Sequence, residues 1–147
     1  MQTYKGRFSP RNPSKYKGDP TKIVYRSLWE RQVMRFFDEH ADIIQWSSEE
    51  VVIPYRCKTD GRLHRYFVDF KVLFADKKTF LIEIKPAKET QPPRRQQRQS
   101  KRYITEVMTY AKNVSKWESA EQYALDRGWE FVVWTEDTLR KLGITIL

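Results

Sequence analysis

The chain has a single cysteine among its 147 residues, Cys57, so it can form no internal disulfide and build no cysteine-based zinc site. Its two histidines, His40 and His64, stand apart in the sequence and make no ligand cluster; each reads as solvated or locally satisfied. No apolar run approaches the length that crosses a bilayer, and the polar N-terminus lacks a signal peptide's hydrophobic segment. No internal repeat is present. Disulfide scaffolds, membrane proteins and repeat architectures are thereby set aside, and a soluble, intracellularly made protein is expected.

Acid is also scarce. Lys and Arg number 28 against 19 Asp and Glu, for a net charge of +9 and a pI near 9.7. Residues 1–26 hold seven basic residues and one acid, and residues 86–102 hold six and one. The remainder is nearly neutral, with fifteen against seventeen. Positive charge gathered on two segments suits a polyanion, most simply nucleic acid. With 39% hydrophobic residues and a chain of this length, one domain spanning 1–147 is expected.

Residues 1–26 show no clear periodicity but carry Pro10, Pro13, Pro20, Tyr4, Phe8, Tyr16 and Tyr25, which reads as an extended basic arm packed by its aromatics. A helix opens at Ser27 and runs to about Glu39, with Trp29, Val33, Phe36, Phe37 and His40 at helical spacing. Val51–Tyr55 is a strand that Pro54 places at an edge or an irregularity. Residues 63–74 and 79–85 form a hairpin around the polar turn Ala75–Lys78. Residues 86–100 have no hydrophobic residue after Ala87 and read as a basic mobile loop. A helix from about Ser100 follows, with Tyr103, Val107, Tyr110, Ala111 and Val114 as its stripe. A second helix, capped by Ser115, runs to Arg127 and is stopped by Gly128. Trp129–Trp134 is a buried strand, and a short helix over 135–143 closes the chain.

The hairpin carries the chemistry. Asp69 lies in its first apolar run, and Glu83 and Lys85, two apart in the second, share a strand face. If Thr79 pairs near Leu73 or Ala75, Asp69 lies opposite Glu83 or Lys85 on that face. Val68, Phe70, Val72, Phe74, Phe80, Ile82 and Ile84 make the other, hydrophobic side. Two carboxylates and a lysine converging away from the main core suit a Mg²⁺-dependent phosphodiesterase: hard oxygen ligands for the ion and a cation beside the phosphate. Cross-strand ion pairs, Asp69–Lys85 or Lys71–Glu83, would explain the same residues structurally. Glu30 is a third carboxylate, in Ser27-x-x-Glu30. The pattern is also a capping box, and Ser115-Lys-Trp-Glu118 repeats it where no catalytic role suggests itself.

The helix followed by three strands, with Asp69 and Glu83-Ile-Lys85, resembles the PD-(D/E)xK nuclease superfamily, although valine stands before Asp69 where the motif has proline. Longer strings carry a closer resemblance. They are Asn12-Pro-Ser-Lys-Tyr16-Lys-Gly18-Asp-Pro20, Tyr25-Arg-Ser27-x-Trp-Glu30, Val52-Ile-Pro54-Tyr55 and Arg65-Tyr66-Phe67-x-Asp69. Further along come Ile82-Glu-Ile-Lys85-Pro86-x-Lys88-Glu-Thr-Gln-Pro-Pro93, Thr109-Tyr110, Lys116-Trp117 and Thr135-Glu-Asp137. With these strings the chain resembles the head-completion nucleases of T-even-type tailed phages nearly end to end.

The resemblance implies an α/β fold with a restriction-endonuclease-like core, a mixed β-sheet flanked by helices, read here in the order α-β-β-β-α-α-β-α. It implies hydrolysis of phosphodiester bonds in double-stranded DNA with Mg²⁺, or Mn²⁺ in its place. Asp69, Glu83 and the main-chain carbonyl of Ile84 would hold the ion, and Glu30 would complete the site through a second ion or a bound water. Lys85 would position or help deprotonate the nucleophile or, the preferred role, stabilise charge on the phosphate. Arg26, Lys88, Arg94, Arg95, Arg98, Lys101 and Arg102 are the candidate phosphate clamps. Tyr110 follows Glu106 by four, where some relatives place a Gln-x₃-Tyr pair on DNA; glutamate here weakens that role. A virion location in the head or neck, a portal or other head protein as partner, and no membrane contact also follow from the resemblance. A structural virion or DNA-end-binding protein without chemistry is the competing class, and a junction or repair nuclease of the same superfamily a third.

Overall fold

The computed structural model describes residues 4–146. The arm holds β1 (Gly6–Arg7) and β2 (Val24–Tyr25), paired antiparallel, with one 3-10 turn over Pro13–Lys15 between them. Its aromatics pack it, as expected. Tyr16 is buried with its ring 4.7 Å from that of Trp46, and Phe8 meets the same ring at 5.9 Å. Helix α1 (Leu28–Glu39) fastens the arm at its end. The buried Asp38 carboxylate accepts from the main-chain N–H groups of Arg11 and Asn12, at 2.8 and 3.0 Å.

The strands that follow are β3 (Ile43–Ser48), β4 (Val52–Arg56), β5 (Leu63–Phe67), β6 (Phe70–Phe74) and β7 (Thr79–Ile84). After them come the long helix α2 (Lys101–Asp126), β8 (Glu130–Trp134) and α3 (Glu136–Lys141). The central sheet runs β3-β6-β7-β8, antiparallel except for the parallel β7–β8 pair, so it is mixed. β4 and β5 make a separate hairpin, and Pro54 therefore sits on a strand with only one partner.

Alternation along β7 separates two cores. Ile82 and Ile84 join Val33, Met34, Phe37, Trp46, Phe70 and Val72 beneath α1, whereas Leu81 packs with Val68, Tyr66, Ile53, Ala120 and Ala124 beneath α2. The small alanines let α2 lie close on the sheet. Among the described residues no helix is long and apolar enough to cross a membrane.

Several expectations are corrected. Strand β3 was not foreseen: a bulge between Ile43 and Gln45 breaks the period-two pattern, leaving Ile43 and Trp46 buried three residues apart. Residues 63–74 are two strands rather than one, since the chain changes partner at Val68-Asp69. β5 pairs with β4, while β6 pairs with β3 and β7. Val68 consequently joins the α2 core instead of the Phe70 side. Residues 101–126 form one helix, with Ser115 in its interior, its hydroxyl donating back to the Ala111 carbonyl. The stripe foreseen on its first half is not core, for Val107 is 38% exposed. Gly128, at φ 74°, does follow the helix end.

Candidate active site

The tight turn between β6 and β7 sets the site. Leu73 pairs with Thr79 and Phe70 with Ile82, so one further step in register places Asp69 opposite Glu83. Asp69 lies at the junction where the chain leaves β5 for β6. There its carbonyl accepts from the Glu49 N–H at 3.1 Å, and its Oδ2 accepts from the Ile84 N–H at 2.8 Å. The strand junction and the β7 main chain together aim its carboxyl at Glu83.

Glu83 is buried, with two donors on one oxygen. Oε2 accepts from the Tyr66 hydroxyl at 2.5 Å and from Trp117 Nε1 at 2.9 Å. Tyr66 comes from β5 and Trp117 from the middle of α2, so the second core positions this carboxylate. Burial, the Glu83 charge and the Glu30 charge, in that order, hold the Asp69 carboxyl well above the ordinary carboxylate range, against the Ile84 N–H. Burial and Glu83 likewise raise the Tyr66 hydroxyl, keeping it a donor.

The cross-strand ion pairs do not form. Lys71 instead places its Nζ 4.3 Å from the centre of the Trp129 ring, and among the described residues no ion pair involves Asp69, Glu83 or Lys85. Two carboxyls therefore stand against each other without a basic partner in contact.

Glu30 stands at the start of α1 and within reach of the charge of the carboxyl pair. Ser27 Oγ accepts from its N–H at 3.2 Å, while its Oε1 accepts from the Arg26 N–H at 3.2 Å, one position before the cap residue that a capping box would use. Burial raises its pKa, with Glu49 and Glu83 adding and the Arg26 N–H opposing. Asp69 makes its side-chain contact with Glu83, whereas Glu30 acts on it through charge alone. The three ligand-type side chains that close to within 4.8 Å among the described residues are Cys57, Asp60 and His64, on the β4–β5 hairpin. Each of these is already engaged there: Cys57 with Thr59, and Asp60 with the Arg62 N–H and His64.

Lys85 follows β7, half-buried, its N–H donating to the Trp134 carbonyl at 3.0 Å. The clamp residues divide. Arg26 is held by Glu49 through two bonds of 2.8 and 3.1 Å, and Arg102 by Glu106 at 3.1 Å, so neither guanidinium is free. Lys88, Arg94, Arg95, Arg98 and Lys101 are exposed. Lys88 and Arg94 line a cleft of about 660 Å³ between the 86–100 segment and α2, opposite Thr109 and Tyr110. That segment begins with a 3-10 turn, Ala87–Thr90, anchored by the Ala87 N–H on Glu136 Oε1 at 2.7 Å.

Sequence reasoning gave no role to Tyr66, Trp117 or Lys116. The first two reach Glu83 across 17 and 34 residues, a distance over which no local spacing rule operates.

The mixed sheet carries an opposed Asp69–Glu83 pair with Lys85 two residues on, the arrangement that the nuclease resemblance implies. The TnsA-like endonuclease N-terminal family matches residues 40–136, and the chain belongs to that family, which implies a restriction-endonuclease-like fold. The likeness extends beyond this core. The head completion nuclease of Enterobacteria phage T4 is 44% identical over 144 residues, spanning 95% of this chain and 96% of that protein. No solved structure matches significantly.

Proposed function

We propose that the protein is a divalent-metal-dependent deoxyribonuclease that processes packaged DNA during phage head completion and head–tail joining. The observation carrying the reading is the contact between Asp69 and Glu83 without a basic partner. Like charges held together in a half-buried site oppose folding, and such arrangements mark catalytic centres. A structural or DNA-end-binding protein has no use for them.

The donors fit a hard cation. All are oxygens, two carboxyls adjoin, Glu30 stands behind, and the Ile84 main chain passes the same spot. Asp69 and Glu83 would hold the ion, with the Ile84 carbonyl and Glu30 completing its surroundings. Mg²⁺ or Mn²⁺ bound there would polarise the phosphoryl oxygen and acidify a water. The protein supplies the rest. In the hydrolysis a water oxygen bonds to phosphorus as one bridging P–O bond breaks. The water gives up a proton, and the departing oxygen gains one. Lys85 neutralises the charge that builds on the phosphate. Lys88, Arg94, Arg95, Arg98 and Lys101 contact the backbone of double-stranded DNA without choosing sequence. A portal or neck protein is the docking partner, with the virion head or neck as its place of action.

The test is cleavage of linear and circular duplex DNA with and without Mg²⁺. Asp69→Ala and Glu83→Ala should fold normally and lose most activity; wild-type rates in either at saturating metal would remove these residues from the site. Neutralising Arg94, Arg95 and Arg98 together should weaken duplex binding for every sequence alike and flatten its salt dependence. Unchanged affinity with failed particle assembly would assign that segment to protein docking instead.

A further inference from the structure

Lys116 is a second lysine near the carboxyl pair, carried by α2 where Lys85 is carried by the sheet. It projects from the middle of α2, half-buried, its Nζ 5.6 Å from the centre of the Tyr66 ring, whose hydroxyl holds Glu83. Its neighbour Trp117 holds the same Glu83 oxygen. This turn of α2 thus faces the carboxylates.

Among the described residues no carboxylate forms an ion pair with Lys116. Lys58, which also meets α2, is by contrast paired with Glu118 at 3.1 Å. Burial disfavours the Lys116 charge. Glu83 on β7 and Asp69 at the strand junction attract it, while Lys112 on α2 and Lys85 after β7 repel it. A half-buried ammonium without a counter-ion lowers stability, and one crowded by other lysines does so further. Nor is it the counter-ion of Glu83, whose Oε2 is taken by Tyr66 and Trp117. Among the described residues its Nζ meets the Tyr66 ring and no anion at ion-pair distance, so its charge stays open to an anion from outside the chain. With the carboxylates bound to a cation, the Lys116 charge is left facing whatever occupies the space between α2 and Lys85.

We infer that Lys116 is a further catalytic residue, holding a non-bridging oxygen of the scissile phosphate from the α2 side while Lys85 acts from the sheet side. The inference rests on the nuclease reading and adds to it a second cation from a different element.

Lys116→Met keeps the stem and removes the charge; Lys116→Arg keeps the charge. With the full chain, linear duplex DNA and Mg²⁺, Lys116→Met should lose about 10²-fold in kcat with KM little changed. Lys116→Arg should recover at least a tenth of the wild-type rate. Lys116→Met should melt no lower than wild type, since the unpaired charge it removes opposes folding, and its Mn²⁺ affinity by calorimetry should match wild type; a packing role or a metal-site defect would not allow both. A phosphorothioate at the scissile position gives the most direct readout. The diastereomer that slows the wild-type enzyme and is not rescued by Mn²⁺ should slow Lys116→Met far less, because the contact it weakens is already gone. Undiminished kcat in Lys116→Met, or equal thio effects in wild type and variant, overturns the inference and leaves the nuclease reading standing. A wild-type chain that cuts no DNA with any divalent cation sinks both.

Discussion

Two segments of this chain read Ser-x-Trp-Glu, at 27–30 and at 115–118, and they reach the same buried carboxylate, Glu83, by different routes. In the first, Ser27 follows an extended arm and caps α1, and Glu30 brings its carboxylate towards Asp69 and Glu83. In the second, Ser115 lies inside α2. Its hydroxyl bonds back to the Ala111 carbonyl and accepts the Lys58 N–H, Trp117 supplies the bond to Glu83, and Glu118 turns outward to Lys58. The difference lies upstream. No glycine or proline interrupts 101–126, so nothing stops the helix for the second serine to cap. A capping signature is decisive only where the preceding chain is not already helical.

The comparison can be broken first at Glu30. As a cap alone it tolerates glutamine, which also serves in a capping box. As part of the site, Glu30→Gln loses about 10- to 100-fold in cleavage with little change in melting temperature. An active Glu30→Gln enzyme would reduce the first segment to a helix start. Trp117→Phe sharpens the second segment by removing one of the two donors on Glu83. Cleavage should fall about tenfold, and a variant indistinguishable from wild type would make Trp117 a packing residue only.

Stability gives the next effect. Asp69 in the folded chain holds its proton above the ordinary carboxylate range, so between those two values the native state binds more protons than the unfolded state. Stability without metal therefore falls as pH rises through this window. Asp69→Asn removes the titration while keeping an acceptor for the Ile84 N–H. In chelator it should melt higher than wild type at about pH 8, with the difference closing towards about pH 4. Parallel melting curves across that range would show that Asp69 is not strained by its neighbours. The smallest effect is Glu118→Gln, which loses only an exposed pair with Lys58 and should stay within about half a kcal/mol of wild type, with unaltered cleavage.

The carboxylate pair was legible because a short polar turn fixes its geometry. Once Thr79 pairs with Leu73, alternation carries Asp69 to Glu83. The arm was legible from its aromatics, and β8 from its apolar run, although β8 is a half-buried edge strand and not the buried strand that run suggests. Strand β3 was hidden by its bulge, and the switch at Val68-Asp69 by a run of residues that reads as one strand. The identity of the pair's partners was out of reach for another reason. Tyr66 and Trp117 lie in segments whose own patterns are satisfied by core packing, and only the docking of α2 on the sheet gives their polar atoms a target. Arg26 shows the reverse case, a basic residue beside the site that the fold pairs with Glu49.

The uneven anchoring of α2 has a consequence in time as well as in space. At 26 residues it is roughly 39 Å long. Its fully buried residues are Asn113, Ser115, Ala120 and Ala124, none of them in the first three turns. Local opening requires least free energy where backbone is exposed and few apolar contacts are lost. Amide exchange should therefore be fast up to about Lys112 and slow abruptly from Asn113. The α2 wall of the cleft beside Lys88 and Arg94 then fluctuates on its own, while the turn bearing Lys116 and Trp117 opens only when the core beneath it does.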